Sequence, residues 1–306
     1  LYQEQNFSLA YPLFKQLYNE SLTQSAFPIT IGLESKYYSI VCGLELNDAT
    51  AADAATDFIE LEHHEPRIEM MSYHLGEYYY RHKDFADAIK YYDQAGAANL
   101  NNAEIATLKF HEGYCYFTMQ RFNDAKPLFD AIRQIKDDPN YYDANYYYGF
   151  ICLSEKNYNE ALASFRIVED RENYKPIVPY YITEIYYYQG KKDEAITYIQ
   201  NKLQSGSSSQ YYDLELKQML GHAYFEKKEY AKALPYLEAY TSKVKTPGRQ
   251  DIYELSYSYY ATGNYNKAIT GFKQLSGKED SLAQNARLLE GVLDDFGVKG
   301  EIVNVR

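Results

Sequence analysis

From Leu75 to Gly96 the chain reads LGEYYYRHKDFADAIKYYDQAG, two runs in which apolar side chains return every three or four residues, with polar His82 to Asp84 between them. That spacing is the period of an amphipathic helix, and the polar interruption is a turn, so the stretch predicts two short helices folded into a hairpin. Gly76 and Ala88 are small where the two backbones must approach, and Tyr79, Ala88 and Tyr92 are expected to point inward. The pattern returns as GYCYFTMQRFNDAKPLF at Gly113, GFICLSEKNYNEALASF at Gly149 and GHAYFEKKEYAKALPYL at Gly221. It returns again in TEIYYYQGKKDEAITYI and SYSYYATGNYNKAITGF, with Thr183 and Ser256 in the glycine's place. The second-helix alanines are Ala88, Ala125, Ala161, Ala195, Ala233 and Ala268, roughly 34 to 38 residues apart, the period of a helix-turn-helix repeat.

Six copies keep the small residue, the aromatic or apolar residue three places on, the alanine twelve places on and the large apolar residue four beyond it. In this the chain resembles the tetratricopeptide repeat (TPR) family. The resemblance implies an all-α solenoid of helical hairpins, a right-handed superhelix with no catalytic role and no cofactor, in which each repeat rests on its neighbours.

Taken in order, residues 8–22 carry Ala10, Leu13, Phe14 and Leu17 at helical spacing and resemble a second helix whose first helix is mostly missing. Residues 31–46 and 51–62 predict a degenerate hairpin, divided at Asn47-Asp48, for which no alanine-based alignment is clean. Pro66 is expected to end that second helix. First helices follow near 68–82, 101–119, 140–155 and 176–189, and second helices near 84–96, 121–135, 157–169 and 191–203. Two further hairpins are expected at about 210–243 and 248–276. Pro127 and Pro235 fall inside second helices, where a kink or a late helix start is expected. SGSSSQ at 205–210 has the composition of a flexible loop.

The domain organisation is therefore an array over 1–276, made of a partial repeat, a degenerate one and six recognisable ones, followed by 277–306 as a capping helix and an irregular tail. Gly291 in SLAQNARLLEGVLDDF sits where the next repeat's small residue belongs, but GVKGEIVNVR gives no second helix. Residues 285–306 resemble the opening of the motor region of the FtsK/SpoIIIE septal DNA translocases. The Walker A loop such a motor needs is absent from the sequence, so no translocase activity follows. A gene-fusion junction or a degenerate capping repeat would each explain the change of character. The chain begins LYQEQNF, without Met or a signal-peptide pattern, and reads as a fragment or a processed chain.

Composition narrows the function. A formal charge of −12 and a pI near 5.1 argue against nucleic acid, whose binding draws on clustered Lys and Arg. With mean hydropathy −0.56, no apolar run approaches a membrane span. Cys42, Cys115 and Cys152 form no CxxC pair and suit buried apolar positions. The sequence has 37 Tyr and no Trp, so broad contact area comes from a side chain with a hydroxyl tip. The YYY-containing repeats and the block PYYITEIYYYQGKKDEAI resemble long TPR proteins of Bacteroidetes-type bacteria, which implies a periplasmic or envelope-associated location.

No enzyme signature is present. HHE at His63 to Glu65 lacks the one-turn histidine pair of a zinc helix, and Pro66 interrupts that turn. The remaining histidines share no spacing, and no nucleophile elbow, P-loop or dinucleotide fingerprint occurs. What the resemblance implies instead is a concave face lined by first helices, with ligand-facing positions three before, just after and four beyond the small residue. Read near those offsets, this chain places Tyr73, Tyr80, Phe110, Tyr114, Phe117, Tyr146 and Phe150 there, then Tyr180, Tyr187, Tyr188, His222, Phe225, Tyr253, Tyr257 and Tyr260. About half of these rings are expected to be solvent-accessible, the rest packing between helices. Repeats that clamp a terminal carboxylate carry Lys, Arg and Asn at these positions, whereas here they are Tyr, Phe, Glu77 and Glu184, so an apolar or basic segment fits better. The expected role is a protein-protein interaction scaffold binding a peptide or protein segment. The alternatives are a regulatory arm of a larger cell-division or translocase machine, and self-association through the end repeats.

Overall fold

The structure, a computed structural model, describes residues 1–24, 27–204 and 212–276. Among these residues it holds fifteen α-helices and no strand. Helix α1 (Phe7–Thr23) precedes seven pairs in sequence. These are α2 (Ile29–Glu45) with α3 (Ala49–Leu61), α4 (Glu65–Arg81) with α5 (Phe85–Ala95), α6 (Asn102–Thr118) with α7 (Phe122–Ile132), and α8 (Tyr141–Ser154) with α9 (Tyr158–Val168). Then come α10 (Val178–Tyr188) with α11 (Lys192–Gln204), α12 (Asp213–Glu226) with α13 (Tyr230–Thr241), and α14 (Arg249–Ala261) with α15 (Tyr265–Ser276). The chain divides into two compact units, Leu1–Ser164 and Phe165–Arg306, the division falling within α9. The expected 205–210 loop and the 277–306 cap and tail lie outside the described residues.

One turn closes every pair. Each first helix ends with a residue in the left-handed region two places past its last turn: Asn47, Lys83, Gln120, Lys156 and Lys228, and the glycines Gly190 and Gly263. The next N–H then reaches back over the helix end, as from Asp84 to the Tyr79 carbonyl (3.0 Å) and from Glu229 to that of Tyr224 (2.9 Å). This satisfies carbonyls the helix leaves unpaired and reverses the chain in three residues. The turn expected at His82 to Asp84 is this one.

Packing explains the repeat's small residue. A Cβ on Gly76 would lie 2.7 Å from the Tyr92 ring, and one on Gly221 2.8 Å from Leu237. On Gly113 it would meet Leu128 and Phe129 at 3.2 Å. First and second helices therefore touch backbone to side chain, and Ala88, Ala125, Ala161, Ala195 and Ala233 are fully buried. In unit 1 the residues Val41, Leu44, Phe58, Met71 and Leu75 join one apolar cluster, and in unit 2 Ile199, Leu216, Leu220 and Leu237 join another.

The degenerate pair departs for a visible reason. Aligned on its turn, α2 presents Ile40 where other first helices have a small residue, and α3 presents Thr56 where others have a large apolar one. α2 instead receives α1 closely: a Cβ on Gly32 would lie 2.8 Å from Ser21, and one on Gly43 3.3 Å from the Tyr11 hydroxyl. Tyr11 in turn donates to Asp48 at 2.7 Å. α1 has the register of a second helix, with buried Ala10 and Pro12 at the same offset as Ala125 and Pro127 or Ala233 and Pro235.

The expectation that Pro66 ends a helix needs correction, as does that of a late helix start at Pro127 and Pro235. α3 ends at Leu61, where Glu62 accepts the N–H groups of His63 and His64, and Pro66 opens α4 instead of ending α3. At the first turn its missing donor costs no bond. Nor do Pro127 and Pro235 delay their helices, which begin at Phe122 and Tyr230. Each proline is the sixth residue of its helix, so only one donor toward the first turn is lost.

Candidate functional site

The first helices lie against one another within each unit, α2 on α4 and α4 on α6 in unit 1, α10 on α12 and α12 on α14 in unit 2. The residue just after the small one meets the residue two before the small one of the next repeat. Glu77 Oε1 thus stands 2.8 Å from His111 Nδ1, the Tyr114 and Tyr147 rings 5.5 Å apart, and Glu254 Oε1 2.6 Å from His222 Nδ1. The same geometric slot is filled by a carboxylate-imidazole pair twice and a ring pair once.

In unit 1 the rings run on from this slot. Tyr80 stacks on His111 at 3.9 Å and meets Tyr114 edge-on at 5.9 Å. Phe117 touches Tyr147 at 4.8 Å and Phe150 at 5.5 Å. In unit 2 Phe225 packs on Tyr257 at 5.7 Å and on Tyr253 at 6.2 Å, and Tyr257 meets Tyr260 at 6.2 Å. Tyr187 lies 6.2 Å from the His222 ring and donates to the Met219 carbonyl. Tyr180 meets Tyr212 at 5.7 Å and donates to Glu184 at 3.0 Å.

Of the fourteen Tyr and Phe positions expected to face a ligand, Tyr73 and Phe110 do not fit: they are buried, at 8% and 6% exposure, and belong to the hairpin interiors. Phe110 packs on Phe129 of its own second helix. Tyr188 is the most open, at 61%. Tyr80, Tyr114, Phe117, Tyr146, Phe150, Tyr180, Tyr187, Phe225, Tyr253, Tyr257 and Tyr260 are half-buried. The expected even split between open and packed rings is therefore replaced by partial exposure of nearly all. Tyr147, which touches Phe110, Tyr114, Phe117 and Phe129, was not anticipated. Its offset from Gly149, the same as that of His111 from Gly113, is the signal that would have found it.

The electrostatics of this face are acidic. Burial holds the Tyr80, Tyr147 and Tyr187 hydroxyls above their ordinary range, and the Tyr180 hydroxyl is pushed up to about 12 by burial and by Glu184. Burial also raises Glu184. His222 is raised by its hydrogen bond to Glu254, and Glu226 pairs with Lys192 at 2.8 Å. His74 is different: burial lowers it to about 4, so it faces Glu45 as a neutral ring, while Arg81 supplies the charge at 3.3 Å. Cys42, Cys115 and Cys152 are buried thiols. A cleft of about 980 Å³ in unit 2, between α13 and α15 and floored by Ile252 and Leu255, shares no residue with the ring-bearing positions. No described helix is long and apolar enough to cross a membrane.

Comparison with known proteins separates the array from a short stretch. DNA translocase FtsK of Brucella suis biovar 1 (strain 1330) is 75% identical over 28 residues, and that of Rhizobium meliloti (strain 1021) 78% over 27. Each match covers 9% of this chain and 3% of the translocase, so the chain spans a small fraction of the curated relatives it matches. Among solved structures, Pseudomonas aeruginosa pilF is 12% identical over 73% of this chain and 97% of its own, with a TM-score of 0.49. A tetratricopeptide repeat protein from Parabacteroides merdae ATCC 43184 is 15% identical over 83% and 98%, with a TM-score of 0.46. Models of the tetratricopeptide repeat match residues 45–102 and 214–242, one stretch in each unit. Those matches lie on hairpins that share one turn and one packing rule, so each unit carries tetratricopeptide repeats.

Proposed function

We propose that this chain binds an extended or helical protein segment along the ring-bearing faces of its first helices. The repeats make it a noncatalytic interaction scaffold; the segment and the face are the proposed part. The observation that carries the reading is the run of partly exposed rings from Tyr80 through Tyr114 and Tyr147 to Phe150, repeated in unit 2 from Phe225 to Tyr260. Tyrosine suits such a surface because it gives wide apolar contact for two torsions and keeps a polar tip. These rings already lean on one another, so little side-chain freedom remains to be lost when a guest arrives.

The test is retention of partners by the intact chain and by a Tyr80→Ala, Tyr187→Ala variant, with far-UV circular dichroism as the folding check. Loss of the same retained proteins at unchanged helicity is expected, in proportion to two lost anchors at about 1–2 kcal/mol each. Equal retention removes this face as the binding surface. The alternative of an arm belonging to a larger translocase rests on the 28-residue similarity to FtsK. A motor encoded downstream in the same reading frame would favour it.

A further inference from the structure

The carboxylates of the first-helix faces are nearly all answered by a partner. Glu77 has His111 and the Tyr92 hydroxyl, Glu226 has Lys192, Glu254 has His222, and Asp251 has Gln218 and the Gly248 N–H. On the second-helix side the same holds for Glu169, which is 8% exposed and gathers Arg166, Lys202 and Tyr198. This is what burial demands, because a carboxylate removed from water is costly unless donors or cations replace the lost solvent.

One place in unit 2 departs from that rule. Glu184 on α10 is half-buried and, among the described residues, receives only the Tyr180 hydroxyl, at 3.0 Å. Glu215, in the first turn of α12, has its Oε2 shielded from solvent with no hydrogen-bond partner. The Tyr180 hydroxyl feels both carboxylates and the Tyr188 hydroxyl, and its ring rests on that of Tyr212 at 5.7 Å. Neither glutamate forms an ion pair among the described residues, and the nearby Lys217 is engaged by Asp213 at 2.6 Å. Two carboxylates close to the Tyr180 hydroxyl, neither of them ion-paired among the described residues, match the chemistry of a guanidinium or ammonium group. Carboxylates give it charge-assisted hydrogen bonds and the rings give it cation-π contact.

Resting on the reading of the first-helix face as the binding surface, we propose that the α10–α12 portion receives an arginine or lysine of the partner segment at Glu184 and Glu215, beside Tyr180 and Tyr188. The partner is then a segment that alternates apolar anchors with basic residues, and the site works in the opposite sense to a clamp for a terminal carboxylate.

The experiment uses the whole chain and three fluorescein-labelled twelve-residue peptides. One alternates leucine with arginine, and the others carry glutamine or glutamate in arginine's place. Fluorescence anisotropy is read near physiological salt. The arginine peptide is expected to bind at least tenfold more tightly than the glutamine peptide, and Glu184→Gln with Glu215→Gln to abolish that preference. Glu155→Gln with Glu160→Gln removes the same charge from unit 1 outside these positions and is expected to keep it. The glutamine replacements are isosteric, and Glu184→Gln alone, expected to lose part of the preference, guards against a folding defect in the double variant. A preference that survives the double replacement, or that both double variants lose equally, overturns the proposal, since the second result is general attraction to an acidic chain. If Tyr80→Ala with Tyr187→Ala weakens all three peptides while the glutamate variants change nothing, this proposal falls and the binding face stands. If the tyrosine variant changes nothing, the face itself falls.

Discussion

Ser256 shows what the repeat's small position is for. Its hydroxymethyl group takes the room that glycine leaves in other first helices, and the facing second-helix residue has become Gly271, where a Cβ would lie 2.0 Å from the Ser256 oxygen. Contact distance is thus conserved by trading which helix lacks a side chain. Gly221 has no such compensation: an added Cβ meets Leu237 side-chain atoms at 2.8 Å and the Leu237 backbone nitrogen at 3.2 Å. Gly221→Ala gains about 1 kcal/mol of helix propensity but incurs an overpacking cost of about 1–3 kcal/mol. A net fall in the thermal midpoint is therefore expected, by circular dichroism, and a rise would show that the two helices can separate freely. The left-handed turn residues predict the reverse. Lys83 has φ 61, where a side chain is strained and glycine is not. Lys83→Gly is expected to stabilise unit 1 by about 1 kcal/mol, read as a higher urea midpoint, and an unchanged or lower midpoint counts against strain at that turn.

At the scale of elements, one pair of helices meets through two acids. Glu112 on α6 is half-buried and is pushed up to about 7, first by burial and then by Asp93 on α5, to which it is hydrogen-bonded. A carboxyl raised in the folded state carries no penalty below the unfolded value of 4.5, an increasing one between 4.5 and about 7, and the full one above that. Glu112→Gln, which still donates to Asp93, is therefore expected to stabilise the α5–α6 contact by on the order of 2 kcal/mol at pH 8 and by little at pH 4.5. Thermal midpoints at the two pH values decide it, equal gains at both excluding a titration effect. The helices themselves were legible in the sequence because alanine, small residue and aromatic recur in register, and every predicted pair from Glu69 onward is present. The role of Pro66 was not legible: a proline at a first turn and one ending a helix read alike until the neighbouring chain ends are known. The tight seat of α1 on α2 was hidden too, since Gly32 and Gly43 face Ser21 and Tyr11 through a contact outside the repeat's own spacing.

For the whole molecule, sequence offsets found the ring-bearing face but not its depth. They place Tyr73 and Tyr80 on one helix alike, and only packing separates an interior ring from one that stacks on His111. The first helix differs from the later second helices in what it leaves open. Seven places after the alanine, Ala95 in α5 and Ile132 in α7 are buried at 1%, and three places after it Tyr91 is buried at 5% and Leu128 half-buried. In α1 the same places hold Leu13 and Leu17, at 51% and 37%, with Leu9 beside them at 55%. Burying a leucine fully is worth about 1.5–3 kcal/mol, and a surface offering several on one helix favours covering itself with another copy. Light scattering over a concentration series is expected to give a mass that rises above 35.6 kDa for the wild-type chain. Leu13→Glu with Leu17→Glu places charges in that stripe without touching Ala10 or Phe14, which face α2, and is expected to hold the mass at the monomer value with helicity unchanged. A wild-type mass constant at 35.6 kDa across the series would mean that the leucine stripe of α1 does not join copies of this chain.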